Sequence, residues 1–458
     1  MRLRRLAVFS GGFTMEAAQQ VAGDDTLDAW AVLDQLGVLV DKSLILAEGA
    51  DTPRYRLLES TRLFAQEQLD EADETAACRR LQALATAEVL RQARQTHRVG
   101  GAALLAALAA EVDNARVALH WAAAQADVAL GMALATELSF AYSAANLHAE
   151  FLAAASAWVV HAEREAVDAT VAAALLRRVA ASGKNAAHAL ALRAALRAAE
   201  LMRAGAGNAR ELHEALVVAV AVGARRGADL PYEDMLAEAQ ALHRPDWPMP
   251  PRANWQWARE RWLMRAGRYA DAAASALAMA EATRDLADAG VPQIAALNAA
   301  GSELAQGLFD QAEARARTAL AALQASQGPP SAVGYGWMLV AACEARRGNW
   351  SAALGSCRRA RPALEIEGDE ALLLPVLAQC AAGQGQARAA ACIAGHLDAS
   401  RQRNGWVPDP AEATERAGLQ AVLQAALEPE ALDAALRCGA AMSHTEALNA
   451  GLEGLPEK

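Results

Sequence analysis

Few residue combinations in this chain of 458 residues have the types and spacing that catalysis requires. The tripeptide His-Ala-Glu occurs at 148–150 and 161–163, and H-x-E is half of the zinc site of nucleobase deaminases. The other half, P-C-x-x-C, does not occur in the sequence. The acid pairs at 24–25 and 233–234 are interpreted as helix caps and solvated faces. We therefore predict no catalytic residue, no metal and no cofactor, and we expect that the chain is not an enzyme.

A phosphate-binding loop is also missing from the sequence. The motif G-x-x-x-x-G-K-[ST] cradles nucleotide phosphates with its backbone amides. Gly-Lys occurs once, at 183–184, where Asn185 follows it and Arg178 occupies the position of the first glycine. ATP hydrolysis by these residues is therefore not expected.

Tryptophan and arginine are concentrated just after a Pro-rich stretch, HRPDWPMPP at 243–251. On a helix that begins near residue 253, Trp255 and Trp262 share one face, whereas Trp257 and Arg261 lie on another. One interpretation of these four residues is packing inside a pair of helices. The other is a recognition surface for a ligand or partner, because tryptophan and arginine are enriched at binding hot spots. The sequence leaves both interpretations open.

The elements that position these residues are predicted to be helices. Alanine supplies 122 of the residues and aromatics only 5%, and alanine strongly favours helix while burying little area. The six cysteines form no C-x-x-C pair, and neither a signal peptide nor a membrane span is recognisable in the sequence. We therefore expect a reduced, cytoplasmic protein with many small helix-to-helix cores and no contact with a membrane.

Residues 1–75 are predicted to form three short helices followed by a hairpin. The first helix ends at Gly11-Gly12, Thr14 is suited to cap the second, and the third covers about 26–41. The strands SLILAE (43–48) and RYRLLE (54–59) come next, and Ser60 and Thr61 can cap a last helix. This order is typical of a winged helix.

A short pattern repeats in the second half of the chain. G-x-aromatic-x-x-A begins at 267, 307 and 348, and a weaker copy, with alanine at the aromatic position, begins at 385. The glycine is expected to end one helix and make the tight turn. The aromatic is expected to fill the gap between two antiparallel helices, and the alanine to let their backbones approach. Spacing near 40 residues predicts stacked tetratricopeptide-like helix pairs.

Three stretches of the first 75 residues resemble the winged-helix module of bacterial STAND regulators, the signal-transduction ATPases with numerous domains that are related to NB-ARC proteins. They are RRLAVFSGGFTMEAAQQVAG, VLDQLGVLVDKSLI and RYRLLESTRLFAQEQL. The sequence EVDNARVALHW at 111–121 is similar to the start of the helical-repeat sensor in the same family. The resemblance is specific over about 1–125 and generic thereafter.

The resemblance implies a regulatory protein. In this family a nucleotide-binding ATPase domain precedes the winged helix, which packs on it, and the repeats receive a small-molecule or protein inducer. Because the phosphate loop is missing here, the implied ATPase partner is either an upstream part of a longer regulator or a separate chain. In related plant proteins a Met-His-Asp at the end of the wing senses nucleotide; Leu57-Leu58-Glu59 occupies that place here. Leu58 cannot make that contact, and Glu59 is expected to cap the next helix.

The charge of the winged-helix segment argues against DNA reading. Residues 1–75 hold 7 basic and 14 acidic groups, and the predicted third helix carries Asp28, Asp34 and Asp41 with no base before Lys42. Recognition helices present Arg, Lys, Asn or Gln to bases. Direct DNA binding is therefore not expected, and packing against protein is.

Together these observations predict a mainly α-helical fold: a small winged helix followed by an α-α superhelix of tetratricopeptide-like repeats. The predicted segments are a winged helix at 1–75, degenerate repeats at 78–242, recognisable repeats at 252–400 and a C-terminal helical cap at 409–452. The predicted function is a non-enzymatic, signal-sensing segment of a STAND-type transcriptional regulator. The alternatives are a free-standing helical-repeat adaptor and, third, a DNA-binding winged-helix repressor.

Overall fold

The chain forms two compact units, Met1–Ala215 and Leu216–Lys458, here called unit 1 and unit 2. The computed structural model describes residues 3–24, 27–49, 53–96, 102–144, 147–164, 168–184, 187–244, 247, 250–285, 290–366 and 369–453. Helices dominate both units, so the predicted mainly α-helical fold class is confirmed. The boundary between the units falls inside a helix rather than in the Pro-rich stretch at 243–251, part of which lies outside the described residues.

Unit 1 begins with the winged-helix elements and continues with helices alone through the rest of its described residues. A 3-10 helix at Leu3–Val8 comes first, and a π-helical turn at Met202–Ala206 lies near the end. The other elements are α1 (Met15–Ala22), α2 (Ala29–Asp41), β1 (Ile45–Glu48), β2 (Arg54–Leu57), α3 (Glu59–Glu71), α4 (Thr75–Thr96), α5 (Ala102–Ala109), α6 (Val112–Ala124), α7 (Val128–Ala144), α8 (His148–Ala162), α9 (Ala169–Gly183), α10 (His188–Leu201) and the first part of α11 (Ala209–Arg226).

The winged-helix core forms where the hairpin meets the first helices. The strands pair antiparallel, and Ile45 faces Leu57 on the buried side. Phe13 forms a bridge to Tyr55, and its ring stacks on those of Phe9 and Tyr55 at centroid distances of 4.9 and 6.1 Å. Both strands are shorter than the predicted 43–48 and 54–59: pairing begins at Ile45 in the first strand and ends at Leu57 in the second.

The helix caps of this module are partly as predicted. The Thr14 hydroxyl accepts a hydrogen bond from the Ala17 amide, as expected, and the Asp28 carboxylate caps α2 in the same way. The prediction that Ser60 and Thr61 cap the next helix is wrong. The backbone leaves β2 extended at Leu58 and turns helical at Glu59, so both residues lie inside α3. Glu59 does not cap the helix with its side chain but pairs with Arg62 in the first turn at 2.7 Å.

Unit 2 consists of paired helices throughout its described residues. A 3-10 turn at Glu370–Leu373 precedes α19. Its elements are the remainder of α11, α12 (Tyr232–Leu242), α13 (Pro250–Arg265), α14 (Tyr269–Ala282), α15 (Val291–Ala305), α16 (Phe309–Ala325), α17 (Pro330–Arg346), α18 (Trp350–Glu365), α19 (Leu374–Gly383), α20 (Ala387–Asn404), α21 (Pro410–Ala426), α22 (Pro429–Ala441) and α23 (His444–Leu452).

The repeated Gly-aromatic-Ala pattern forms the same turn four times in unit 2. Each pattern glycine follows the end of a helix with a φ of +72° to +82°, a conformation that favours glycine. The next residue donates its N–H to the carbonyl five positions earlier at 2.8–3.0 Å, which closes the helix end. Each pattern alanine is at most 1% exposed. These alanines are Ala272, Ala312, Ala353 and Ala390.

The aromatic position of the pattern is the first residue of the following helix. Tyr269, Phe309 and Trp350 are half-buried there. The Trp350 ring lies over Gly383 of α19, where an added Cβ would overlap the indole. Trp350 therefore contacts the next helix pair and joins neighbouring repeats, beyond the predicted role between the two helices of one pair.

The closest helix crossing in unit 2 joins the C-terminal helices to the last repeat. A Cβ added to Gly439 of α22 would overlap the carbonyl oxygen of Cys392 in α20. Reciprocally, a Cβ added to Gly395 of α20 would overlap the carbonyl oxygen of Leu436. Two glycines thus let these backbones touch.

We expect Gly439→Ala to lower the free energy of unfolding by about 1–3 kcal/mol, because the new methyl group meets rigid backbone rather than a movable side chain. Urea unfolding, with hydrogen exchange at α22, measures the loss. The matched control is Gly418→Ala in α21, where an added Cβ meets nothing within 4 Å; it should be neutral or stabilise by about 0.5–1 kcal/mol. Equal stability of the two variants would contradict the crossing.

Candidate functional site: the outer face of the winged helix

The helix α2 is apolar on both sides. Val32, Leu36 and Leu39 are buried in the winged-helix core. On the opposite side, Trp30 is 76% exposed and Val38 is 49% exposed. A helix whose outer side carries tryptophan and valine lacks the cover that such side chains normally have in a monomer.

The exposed apolar side chains are concentrated in this module. Seven of the fourteen large ones found in the described part of the chain lie between residues 30 and 64. Three project from α2, two from the wing and two from α3. We call this set the outer face: Trp30, Leu33, Val38, Leu46, Leu58, Leu63 and Phe64.

Charges on the outer side of α2 are acidic. Asp34 and Asp41 are exposed there beside Leu33 and Val38. Most arginines of the module are already held by carboxylates. The bound arginines are Arg4 and Arg5 with Glu74, Arg54 with Glu111, and Arg62 with Glu59. This distribution suits a partner protein better than a phosphate backbone.

The winged helix is joined to the first repeats by a buried polar network centred on Asn114 of α6. Its side-chain oxygen accepts the N–H groups of Ser10 and Gly11 at 3.2 and 3.1 Å. Its amide nitrogen donates to the Gly12 carbonyl and to Glu111, both at 2.9 Å. Asn114 is 0% exposed, and the four bonds use the whole hydrogen-bonding capacity of its side chain.

A side chain of the wing, Arg54, extends the same hydrogen-bond network. The Arg54 guanidinium donates to the Glu111 carboxylate at 2.6 Å and to the carbonyls of Gly12 and Ala110 at 2.7 and 3.2 Å. Burial raises the pKa of Glu111, and the charge of Arg54 opposes that rise. We call Arg54, Glu111 and Asn114 the latch, since they hold the Ser10–Gly12 turn against α6.

The latch was not predicted from the sequence. EVDNARVALHW was noted as the start of the sensor region, but its contact with the S-G-G turn depends on residues about a hundred positions apart. One local feature of the sequence pointed to these residues: Glu111 and Asn114 are three positions apart, so their side chains share one side of a helix.

The predicted Trp and Arg surface lies in unit 2, where all four residues are half-buried. The Trp255 indole N–H donates to the Leu236 carbonyl at 3.0 Å, and Trp262 stacks on Tyr232 at 4.6 Å. Both thus face α12, as their spacing predicts. Trp257 packs on another side, against the cluster of Met279 and Ala295. These contacts agree with packing between helices, and a recognition role for the four residues stays a prediction.

The sequence candidates for metal and acid chemistry are dispersed. Among the described residues, no group of three or more His, Cys, Asp or Glu side chains could hold a metal ion. His161 lies beside the Trp158 ring, and Glu233 is in the first turn of α12. Asp24 accepts the Leu27 amide in a turn, while Asp25 lies outside the described residues. None of the described helices has the length and the apolar run that crossing a bilayer requires.

Comparison with known proteins identifies the class of the first module. A family model for a winged helix-turn-helix domain matches residues 2–70, which coincide with the 3-10 helix, α1, α2, the hairpin and most of α3. Residues 2–70 are therefore a winged helix-turn-helix domain.

Two kinds of mycobacterial relatives match the chain in part. Proteins of Mycobacterium tuberculosis and Mycobacterium bovis, whose names describe HTH-type transcriptional regulators, are 39% identical over 139 residues, covering 30% of this chain and 15% of theirs. An uncharacterized protein of Mycobacterium tuberculosis is 42% identical over 77 residues, covering 16% of this chain and 20% of its own. The matches thus span no more than a fifth of these relatives.

One solved structure resembles the chain along most of its length. It is a STAND protein with a tetratricopeptide repeat sensor from Pyrococcus horikoshii, with a TM-score of 0.51 and 12% identity over 98% of this chain and 62% of that one. The likeness shows the fold: a winged helix followed by helical repeats, in agreement with the resemblance seen in the sequence.

Asn114→Ala is expected to lower the free energy of unfolding of unit 1 by about 2–4 kcal/mol, because buried groups of the Ser10–Gly12 turn lose their partners. Asp113→Ala is the matched control: its side chain is 65% exposed and pairs with Arg116, so a change within about 0.5 kcal/mol is expected. Urea unfolding and hydrogen exchange at Gly11 measure both. If Gly11 exchanges equally slowly in the two variants, Asn114 does not hold the turn.

A pH-dependent contribution is expected from Glu74. Hydrogen bonds from Arg5 and Arg4 lower the pKa of Glu74 to about 2, from an ordinary value of 4.5. The unfolded chain therefore takes up this proton at higher pH than the folded chain does. The stabilisation is complete above pH 4.5 and is lost as the pH falls toward 2. Glu74→Gln should cost about 1–2 kcal/mol at neutral pH, and its difference from wild type should shrink in acid.

The control for Glu74 is Glu71→Gln at an exposed position of α3, which should follow the wild type at every pH. Thermal unfolding across a pH series measures the three chains. If the stability difference between Glu74→Gln and wild type stays constant down to the lowest pH measured, the arginines do not bind the carboxylate in preference to the protonated acid.

Proposed function

We propose that this chain is a signal-sensing and regulatory segment of a STAND-type transcriptional regulator. Its winged helix docks on a nucleotide-binding ATPase domain through the outer face, and its repeats receive a small-molecule or protein inducer. The observation that carries the proposal is the exposed apolar side of α2, with Trp30 at 76% exposure beside two aspartates. The likeness to a STAND fold and the names of the mycobacterial relatives support the regulatory class.

The latch provides a physical coupling between the first repeats and the winged helix. Because Arg54, Glu111 and Asn114 fix the winged helix to α6, a change in the first repeats acts directly on the position of the module. An inducer that binds one arrangement of the repeats more tightly shifts the population of that arrangement. The same linkage works in reverse, so docking of the ATPase domain alters the affinity for the inducer.

We propose further that the chain itself is not an enzyme and acts in the cytoplasm as a protein-binding regulator. The bound arginines and the acidic side of α2 favour a protein partner over direct DNA contact. ATP turnover by the purified chain would contradict the first part. Retention of duplex DNA with a steep salt dependence would contradict the second, since phosphate contacts release counterions.

The partner can be located before any binding experiment. The proposal expects a reading frame with G-x-x-x-x-G-K-[ST] upstream of Met1 or in a neighbouring gene. If neither place encodes a nucleotide-binding ATPase domain, the docking proposal is contradicted. The alternative, a free-standing helical-repeat adaptor, is then supported.

Trp30→Ser combined with Leu33→Ser is expected to weaken binding of that ATPase domain about tenfold or more, because exposed tryptophans dominate interface energies. Calorimetric titration of the ADP-loaded domain into the full chain measures the affinity. The control is Ile366→Ser, which removes a side chain of similar exposure, 67%, from unit 2. Unchanged affinity in the α2 variant, with native helicity by circular dichroism, would place the docking surface elsewhere.

A further inference from the structure

The first helices of the repeat pairs form a common layer in unit 2. The helix α15 contacts α17, α17 contacts α19, and α19 contacts α21, in addition to their contacts within pairs. The hydroxyl of Tyr335 in this layer lies against α15. An added Cβ at Gly301 of α15 would lie 3.1 Å from the Tyr335 hydroxyl of α17. The glycine therefore leaves room for that hydroxyl to reach across α15.

Arg261 of α13 approaches the same place from the other side. Its positive charge lies close enough to Tyr335 to oppose the rise in the pKa of that hydroxyl, and its guanidinium binds the neighbouring Glu260 carboxylate, with one contact at 2.7 Å. Glu260 is 1% exposed, whereas Arg261 keeps 21% of its side chain open. A guanidinium has five N–H donors, so the contacts with Glu260 leave donors of Arg261 available.

A second arginine, Arg225 of α11, lies nearby without a carboxylate. Among the described residues no acid forms an ion pair with it; Asp369 and Glu412 act on its charge only from a distance. Burial lowers the pKa of Arg225, and the charge of Arg261 lowers it further. Burial also raises the pKa of Tyr335. Arg225, Arg261 and Tyr335 all keep some accessible surface, so none of the three is completely enclosed.

A segment from the end of α20 covers Arg225. The Trp406 ring lies 5.5 Å from the Arg225 guanidinium. Arg226 donates to the Asn404 carbonyl at 3.2 Å, and Arg265 donates to the Pro408 carbonyl at 2.6 Å. Two further arginines thus fix the segment by its backbone, while Arg225 has no ion-pair partner in the described part of the chain.

We propose that Arg225, Arg261 and Tyr335, with Trp406 above them, form a binding site for a small organic anion that carries a carboxylate or phosphate group. Arg225 supplies the unpaired charge, and Arg261 and the Tyr335 hydroxyl supply directed donors. An unpaired, desolvated cation is costly to keep, and an anion that neutralises it stabilises the folded chain. The proposal rests on the proposed sensory function and gives it a ligand class.

The test titrates the full chain with phosphate, citrate and benzoate at constant ionic strength, against chloride. Thermal unfolding and calorimetry provide the readouts. At least one of the three anions is expected to raise the melting temperature in a saturable way. Arg225→Gln and Tyr335→Phe should each weaken the apparent affinity about tenfold. The matched control, Arg388→Gln, removes an exposed arginine of α20 and should leave the affinity unchanged.

The melting temperatures of the variants without added anion give an independent readout. Arg225→Gln is expected to melt at the same temperature as wild type or higher, because it removes a desolvated charge kept for binding. A strongly lowered melting temperature would instead make Arg225 a structural residue and overturn the proposal. No saturable response to any of the three anions, or a response of unchanged affinity in Arg225→Gln, would also overturn it. The Trp30 and Leu33 variant should keep the full anion response, so failure of docking is distinguishable from failure of this site.

Discussion

Close approach of helix backbones is the constraint on which both units depend. The interior is built largely from alanine: the four pattern alanines of unit 2 are at most 1% exposed. Alanine buries little apolar area, so each contact contributes little. Stability must then come from many close contacts along stacked pairs, as in other solenoids. At the crossing of α20 and α22, two glycines let the backbones come closer than any side chain would allow. The unusual composition and the repeat architecture are therefore two aspects of one packing solution.

At the winged helix, polar contacts hold the module in one position against α6. The apolar core of the module, with Phe9, Phe13 and Tyr55 stacked at the hairpin, continues into α4 through Cys78 and Ala85. The latch adds directed hydrogen bonds to α6. Such buried bonds specify one geometry, because a shifted arrangement would leave donors and acceptors unsatisfied. The apolar side chains of α2 and α3 remain on the outside, where a partner can cover them.

Local patterns predicted most of the architecture. Spacing of glycine, aromatic and alanine located the repeat turns, and the Thr14 cap followed from residue type. The prediction failed where neighbouring structure decides: Ser60 and Thr61 are good capping residues, but the extended backbone at Leu58 makes that residue the cap, two and three positions before them. The latch and the proximity of Arg225 to Arg261 and Tyr335 could not be predicted, because the elements that carry these residues are far apart in sequence; Arg261 alone belonged to the predicted Trp and Arg surface. Trp255 and Trp262 were placed on one side correctly, yet spacing alone could not say what they pack against.

The winged helix-turn-helix match does not by itself decide what the module contacts, since one fold supports unrelated functions. In this chain the element that would enter a DNA groove is α2, and its outer side carries Trp30, Leu33 and Val38 with Asp34 and Asp41. Placing that side on DNA would set carboxylates near phosphates and bury apolar groups against a charged backbone. Both changes are unfavourable, whereas a protein surface can remove the tryptophan from water without setting phosphates beside the aspartates. The surface chemistry, more than the fold, is therefore the basis of the proposal that this module docks on a protein.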